Sequence, residues 1–306
     1  MSRKFIFGTI FFILCLAHSF LYGFDNRKLS GAFLYNPVNA RANGMGSAFT
    51  AVAHDPSAGW WNPAGLGFIK KFQMSGMYAV MSIDRIHNFA GISLPSENGG
   101  TLGLHCQQFR VKNIDGRDLN GKHTSYFNDD ELAFGISYSI RFGSYLSIGA
   151  TGKYLFQTLE DYKATGYSSD AGAMINVKEV FHLGFVVQNI FNVLKWDTNL
   201  KLQEKLRKQC RAGIGIQPKA FPILVTFDVA KFDLKKSGKL RYYVGCEYWI
   251  FPNLFAVRGG FADRQLTAGA SIGWQGKDFG VRLDYAYVPD VLEQGATNQF
   301  SVGIEF

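Results

Sequence analysis

The sequence predicts an all-β fold, a transmembrane antiparallel β-barrel of about fourteen strands with an N-terminal hatch inside the lumen. Short runs of alternating apolar and polar residues fill the chain from Phe72 to Phe306. Their number is even, as a closed bacterial barrel requires. The last run, 299–306, sets Phe300, Val302, Ile304 and Phe306 on one face and Gln299, Ser301, Gly303 and Glu305 on the other. A strand of this kind, ending in Phe, suits a wall with lipid outside and polar groups inside. Such a wall satisfies its backbone donors by strand pairing and needs no long apolar stretch.

The elements follow in order. Residues 1–23 read as a secretory signal: Arg3 and Lys4 precede an apolar run at 5–16, and Ala17-His18-Ser19 or Gly23 offers a cleavage site. That run is too short for a membrane anchor, and no later stretch reaches ~18 apolar residues. Cys15 lies within the run, a placement that disfavours lipidation. Residues 24–71 do not alternate and are rich in Gly, Ala, Asn and Pro. Asp55-Pro56 and Asn62-Pro63 mark turns, and 47–53 suits a short helical turn. The segment exceeds what a linker needs, and its small side chains allow compact folding in a lumen, so it reads as the hatch.

Residues 72–306 read as the barrel. Strands are expected near 72–82, 86–95, 100–110, 130–141, 144–157, 166–177, 180–190, 208–217, 222–231, 240–250, 253–262, 265–275, 278–288 and 297–306. In 180–190, Phe181, Leu183, Phe185 and Val187 alternate with His182, Gly184, Val186 and Gln188. In 278–288, Phe279, Val281, Leu283, Tyr285 and Tyr287 share a face opposite Arg282 and Asp284. Turns should be short on the periplasmic side and long outside. The inner turns expected at 96–99, 142–143, 178–179, 251–252 and 275–277 fit, as do outer loops at 111–129, 192–207 and 289–296. Within 195–206 an amphipathic helix is expected.

Composition narrows the function classes. The apolar fraction is 47% and the aromatic fraction 15%, with 34 Gly, a balance shared by soluble β-sandwiches and membrane barrels. The signal sequence decides for the barrel. The net charge of +8 includes Arg3 and Lys4. The remaining cations are dispersed apart from loop-like clusters at 201–211 and 231–239, which disfavours nucleic acid. Cys106, Cys210 and Cys246 lie in strand-like runs with no metal-ligand spacing and read as small apolar side chains. No cofactor or metal is expected. His123-Thr124-Ser125 has hydrolase residue types but falls in a loop, and His87, His105 and His182 sit on separate strands without an evident Ser partner. The chain therefore does not read as an enzyme.

The segment 39–66 carries Gly44-Met45-Gly46, Ala48-Phe49, Asp55 and Asn62-Pro63-Ala64 in that order and spacing. It resembles the N-terminal signature of the PorV/PorQ-like outer-membrane proteins, within the FadL-like superfamily of hydrophobic-compound transporters. Gln188-Asn189, Arg258-Gly259-Gly260 and Leu283-Asp284-Tyr285-Ala286 extend the resemblance along the mature chain. It implies a fourteen-stranded barrel with an N-terminal hatch in the outer membrane. It also implies Gly44, Met45, Gly46, Asp55, Asn62, Pro63 and Ala64 as hatch or gate elements. FadL-type members take up fatty acids or hydrocarbons and release them sideways through the wall. PorV-like members work with the type IX secretion machinery.

Two readings of function stand. In one, the chain binds and transports a hydrophobic small molecule, with Phe49, Trp60 and Trp61, and also Phe33 and Leu34, along its path; a gap in the wall beside an apolar pocket is expected. In the other it is a structural or cargo-handling partner of secretion proteins. An open porin is a third class. Asn62-Pro63-Ala64 is a gate or a turn docking the hatch on the wall, and Trp60-Trp61 lines a path or anchors the periplasmic rim. Lys153, Arg211, Asp228, Arg241, Glu247, Arg258, Arg282 and Asp284 fall on lumen faces, where a salt-bridge ladder between wall and hatch is expected. Asp284 should pair with Arg258, Arg282 or a hatch cation such as Arg41. Expected partners are outer-membrane lipids, the small molecule or secretion proteins, and the barrel-assembly machinery, engaged through Phe306.

Overall fold

A computed structural model describes residues 30–96, 100–232, 240–290 and 295–306. The signal expected at 1–23, the inner turn at 97–99 and most of the basic cluster at 231–239 lie outside them. The alternating runs form β1 (Gln73–Met81), β2 (Arg85–Ser96), β3 (Gly100–Arg117), β4 (His123–Phe142), β5 (Leu146–Leu159), β6 (Tyr162–Val177) and β7 (Phe181–Gln188). Two short strands follow, β8 (Asn192–Trp196) and β9 (Gln203–Glu204). The second half holds β10 (Gln209–Ile216), β11 (Ile223–Phe232), β12 (Leu240–Phe251), β13 (Phe255–Ala262), β14 (Gln265–Gln275), β15 (Gly280–Pro289) and β16 (Ala296–Glu305).

Without β8 and β9, fourteen strands pair antiparallel in sequence order, and β1 pairs β16 to close the barrel. The closing register sets Gln73 opposite Glu305 and Val80 opposite Asn298. Each expected strand is present, because alternation over a run of this length allows one register with the apolar face outward. Exposed Phe134, Ile136, Tyr138 and Ile140 of β4 and Phe181, Leu183 and Phe185 of β7 belong to the resulting apolar outer surface. Among the described residues no helix is long and apolar enough to cross a membrane.

Four expectations are corrected. The loop expected at 111–129 is the upper part of a long hairpin, in which β3 and β4 pair as far as Arg117 and His123, so the His123-Thr124-Ser125 triplet opens a strand. The helix expected within 195–206 is instead the β8–β9 hairpin, with Leu194 opposite Glu204. The helical turn expected at 47–53 is irregular, and helix α1 lies earlier, at Ala40–Gly44. The connections expected outside are of mixed length: β5 and β6 are joined through Glu160 and Asp161 alone, with Glu160 at φ 53°, whereas the β7–β10 connection, where a long outer loop is expected, carries β8 and β9.

The chain enters β1 at the end where the Phe72 and Phe306 rings meet, 5.6 Å apart; this end is called proximal and the other distal. Residues 30–71 lie within the lumen. They comprise a 3-10 turn Ala32–Tyr35, α1, a second helix α2 (Ala58–Trp61) and a 3-10 turn Pro63–Phe68. Wall glycines make room for this inner segment. A Cβ at Gly149 would lie 2.5 Å from the Pro63 carbonyl carbon, and one at Gly184 2.3 Å from the Thr50 oxygen. At Gly260 it would lie 2.1 Å from the Gly46 nitrogen. Gly46 itself has φ 60°, a conformation that glycine adopts without strain.

Gly260→Val should therefore displace the inner segment and lose ~1–3 kcal/mol or more by overpacking. Gly152→Val, where nothing lies within 4 Å, should not. Protease cleavage within 30–71, scored beside heat-modifiable gel mobility, checks the pair. At the hairpin tip, His123 and Arg117 hydrogen-bond Asp115 and hold its carboxyl below the usual range. The support they give the tip should be complete above the ordinary carboxylate value of ~3.9. It should be lost as pH falls through the depressed folded value, which amide exchange across 115–123 measures; Asp115→Asn should remove the pH dependence.

Candidate functional site: the filled lumen

The lumen has two chemically different zones. Its middle and proximal part is an ion-pair network joining the inner segment to the wall. Asn39, at φ 75°, caps α1 by accepting from the Arg41 backbone at 2.9 Å, and so aims Arg41 at the wall. Arg41 donates to both Glu247 oxygens at 2.8 Å. Arg258 donates to Glu247 at 2.6 Å and reaches Asp284 at 3.0 Å. Arg282 donates to Asp284 at 3.0 Å and approaches Asp55 at 3.9 Å. Asp55 accepts from Asn39 at 3.0 Å, closing the chain of contacts on the inner segment. Three cations and three anions thus alternate, and each buried charge has an opposite neighbour.

A second anchor joins Arg211 of β10 to Asp228 of β11 at 2.9 Å. The same Asp228 oxygen accepts the backbone N–H of Phe49 and Thr50, at 3.1 and 3.0 Å. The Arg211 guanidinium donates to the Ser47 carbonyl and lies 5.0 Å from the Trp61 ring. A third anchor pairs Lys153 with Asp170 at 2.8 Å. Asp170 accepts from the Asn189 backbone at 2.9 Å, and the Asn189 amide reaches the Tyr35 hydroxyl at 3.2 Å. Arg241 lies 3.7 Å from Asp263 and over the Phe232 ring.

The residues singled out in the sequence fall as follows. Met45 is buried; the Gly44 carbonyl accepts from Thr267, whose hydroxyl oxygen also accepts from Gly46 N–H. The Asn62 amide donates to the Thr50 and Ala173 carbonyls, its oxygen caps Ala64 N–H, and Pro63 opens the 3-10 turn. These contacts dock the segment on β6. Trp60 and Trp61 are buried inside, donating to Gln107 and the Val38 carbonyl at 3.0 Å, so neither anchors a rim. Phe49 packs edge-on against Trp61 at 5.8 Å. Sequence reading missed Asp170, Asn189 as a network member, and Arg85 with Asp290 at 2.6 Å. The same alternation that marks Ser168 as inward marks Asp170.

The distal zone is apolar. Phe33 and Leu34 of the inner segment pack with Phe109, Ala133, Leu155, Ala164, Leu194 and Leu206. The inward wall side chains that meet Phe33 and Leu34 are apolar, and burying them together is favourable. Among the described residues the gap expected in the wall is not open: every neighbouring pair of the fourteen strands is hydrogen-bonded. Besides register shifts in the β3–β4 and β12–β13 pairs, the ladder changes partner at β6. β6 pairs β7 as far as Ala171 and Val187, then resumes with β8 at Ser168 and Asn192. Between them Asn189 has φ 58°, and the Asn192 side chain accepts Leu206 N–H at 2.7 Å. At the proximal end a cavity of about 160 Å³ borders Asp55, Arg282 and Asp284. An open vestibule of about 1620 Å³ lies below His54, Phe68 and His182.

Asp284→Ala leaves Arg282 with only the 3.9 Å approach to Asp55 and Arg258 with Glu247 as its ion-pair partner, and should lower stability by up to ~3–5 kcal/mol and expose 30–71 to protease. Asp284→Asn, which keeps acceptor geometry for Ser271, should be milder. Thermal unfolding followed by heat-modifiable mobility measures both; wild-type behaviour of the Ala variant would remove the network's structural role at this position.

No protein-family model matches the sequence, and no curated protein does. Solved structures do resemble the fold. A Pseudomonas aeruginosa FadL homologue superposes with a TM-score of 0.59 at 11% identity, over 88% of this chain and 98% of that one. The Pseudomonas putida toluene transporter TodX gives 0.59 at 12%, over 88% and 96%. The CymD monoaromatic hydrocarbon channel gives 0.54 at 13%, over 88% and 96%. At these identities the likeness concerns architecture, and the chain has the fold of FadL-like channel barrels.

Proposed function

We propose that the chain is an outer-membrane barrel of the FadL-like kind that binds a hydrophobic small molecule in the distal half of its lumen. The observation carrying this reading is the apolar zone around Phe33 and Leu34, enclosed by a wall whose outside is also apolar. The distal end faces outward, since the chain enters and leaves at the proximal end. An incoming apolar molecule replaces Phe33 and Leu34 against Phe109 and Leu155, and their displacement moves a segment anchored further down by Asn189, Arg211 and Arg41. The named neighbours support the reading through their architecture: TodX is a toluene transporter and CymD a monoaromatic hydrocarbon channel. PorV-type secretion work is the second reading, favoured by the hydrogen-bonded wall and filled lumen.

Native mass spectrometry of detergent-purified protein separates them. The expected result is a copurifying apolar small molecule, up to one per chain, lost in Leu155→Asp while heat-modifiable mobility persists. Stoichiometric copurification with large secretion proteins and no small molecule would overturn the transport reading. The filled lumen also predicts ion conductance in planar bilayers near baseline, rising when 30–71 is deleted.

A further inference from the structure

The distal zone contains a carboxyl group that has no partner among the described residues. Glu131 of β4 stands on the inward face, opposite Phe109 of β3 and Gln157 of β5. Directly opposed side chains of this kind sit ~4.5–5.5 Å apart at Cβ, so the carboxyl shares its layer with the Phe109 ring. It is only 6% exposed. Among the described residues it has neither a hydrogen-bonding nor an ionic partner, unlike Glu247, Asp284, Asp228 and Asp170 deeper in the lumen. Two residues toward the mouth on the same face, Asp129 has one oxygen buried without a partner, while its other contact is to Gln157. Nearby cations are engaged elsewhere: Arg110 pairs with Asp130, Arg85 with Asp290, and Lys153 with Asp170.

A buried carboxyl without a partner is destabilising, and two on one face add mutual repulsion. Among the described residues only the Asp129–Gln157 contact offsets this. A ligand that carries hydrogen-bond donors and positive charge at one end of an apolar body would satisfy both carboxyls and fill the apolar zone beneath them. We propose that the distal chamber selects amphiphilic amines, with the ammonium group received by Glu131 and Asp129 and the apolar body replacing Phe33 and Leu34. A carboxylate-headed chain of the same length is repelled at the same place. The proposal rests on the reading of this zone as a ligand chamber and adds the headgroup chemistry.

Full-length protein, purified in neutral detergent, is titrated with dodecylamine, dodecanol and dodecanoic acid, and binding is read by native mass spectrometry. Wild type should bind dodecylamine at least about tenfold tighter than dodecanol, the scale of a buried charge-assisted contact, with dodecanoic acid weakest. Glu131→Gln should lose that preference, and Asp129→Asn should reduce it. Because Glu131 has no partner, Glu131→Gln should also fold and melt at or above the wild-type temperature. Equal affinity for amine and alcohol, a preference for the acid, or an unchanged preference in Glu131→Gln would each overturn the amine assignment while leaving the chamber in place. Failure of all three compounds to bind would overturn the chamber reading itself, and the amine assignment with it.

Discussion

The structure depends on one electrostatic constraint: charges buried in a narrow lumen are stable only as a neutral, geometrically complete set. Arg41, Glu247, Arg258, Asp284, Arg282 and Asp55 form that set, and two of its members belong to the inner segment. If the segment left, Glu247 would lose a bidentate guanidinium and Arg282 would lose Asp55. The wall and its contents are therefore one cooperative unit in this zone. The distal zone has no such ion-pair tie: the Phe33 and Leu34 side chains pack against apolar neighbours, and the Phe33 carbonyl accepts from Gln107 at 2.9 Å.

The barrel strands were legible because their outer faces are apolar and their inner faces small or polar, a period-two signal repeated without interruption. The signal disappears where strands leave the apolar surroundings. Lys112, Asn113, Asp115 and Arg117 on one side of the long hairpin, and Thr124, Ser125 and Asn128 on the other, are polar on both faces. Backbone pairing carries on there without any hydrophobic alternation to reveal it. In 195–206, the apolar residues Leu200, Leu202 and Leu206 fit a helical spacing as readily as a strand, and pairing with β6 decides the outcome.

The lumen charges were legible by parity: Lys153, Arg211, Asp228, Glu247, Arg258, Arg282 and Asp284 alternate with outward apolar neighbours. Their partners were only partly so. Asp284 meets Arg258 and Arg282, from a neighbouring strand pair and from its own strand, whereas the Glu247–Arg41 contact joins residues far apart in the chain. The contacts of Asn62 with Thr50 and Ala173 are likewise set by where the inner segment comes to rest. Glu131 shows the complementary limit: parity places it inward, but the lack of a partner is visible only once all the neighbours are in place.

The wall glycines carry a consequence for inheritance. Gly149 against Pro63, Gly184 against Thr50 and Gly260 against Gly46 are contacts between a backbone inside and a missing side chain outside. Either partner of such a contact is free to drift only if the other drifts with it. Descendants of this chain should then change at these positions in matched pairs or hold them constant. The lining of the barrel and the segment it encloses would pass through evolution as a single cast and its mould.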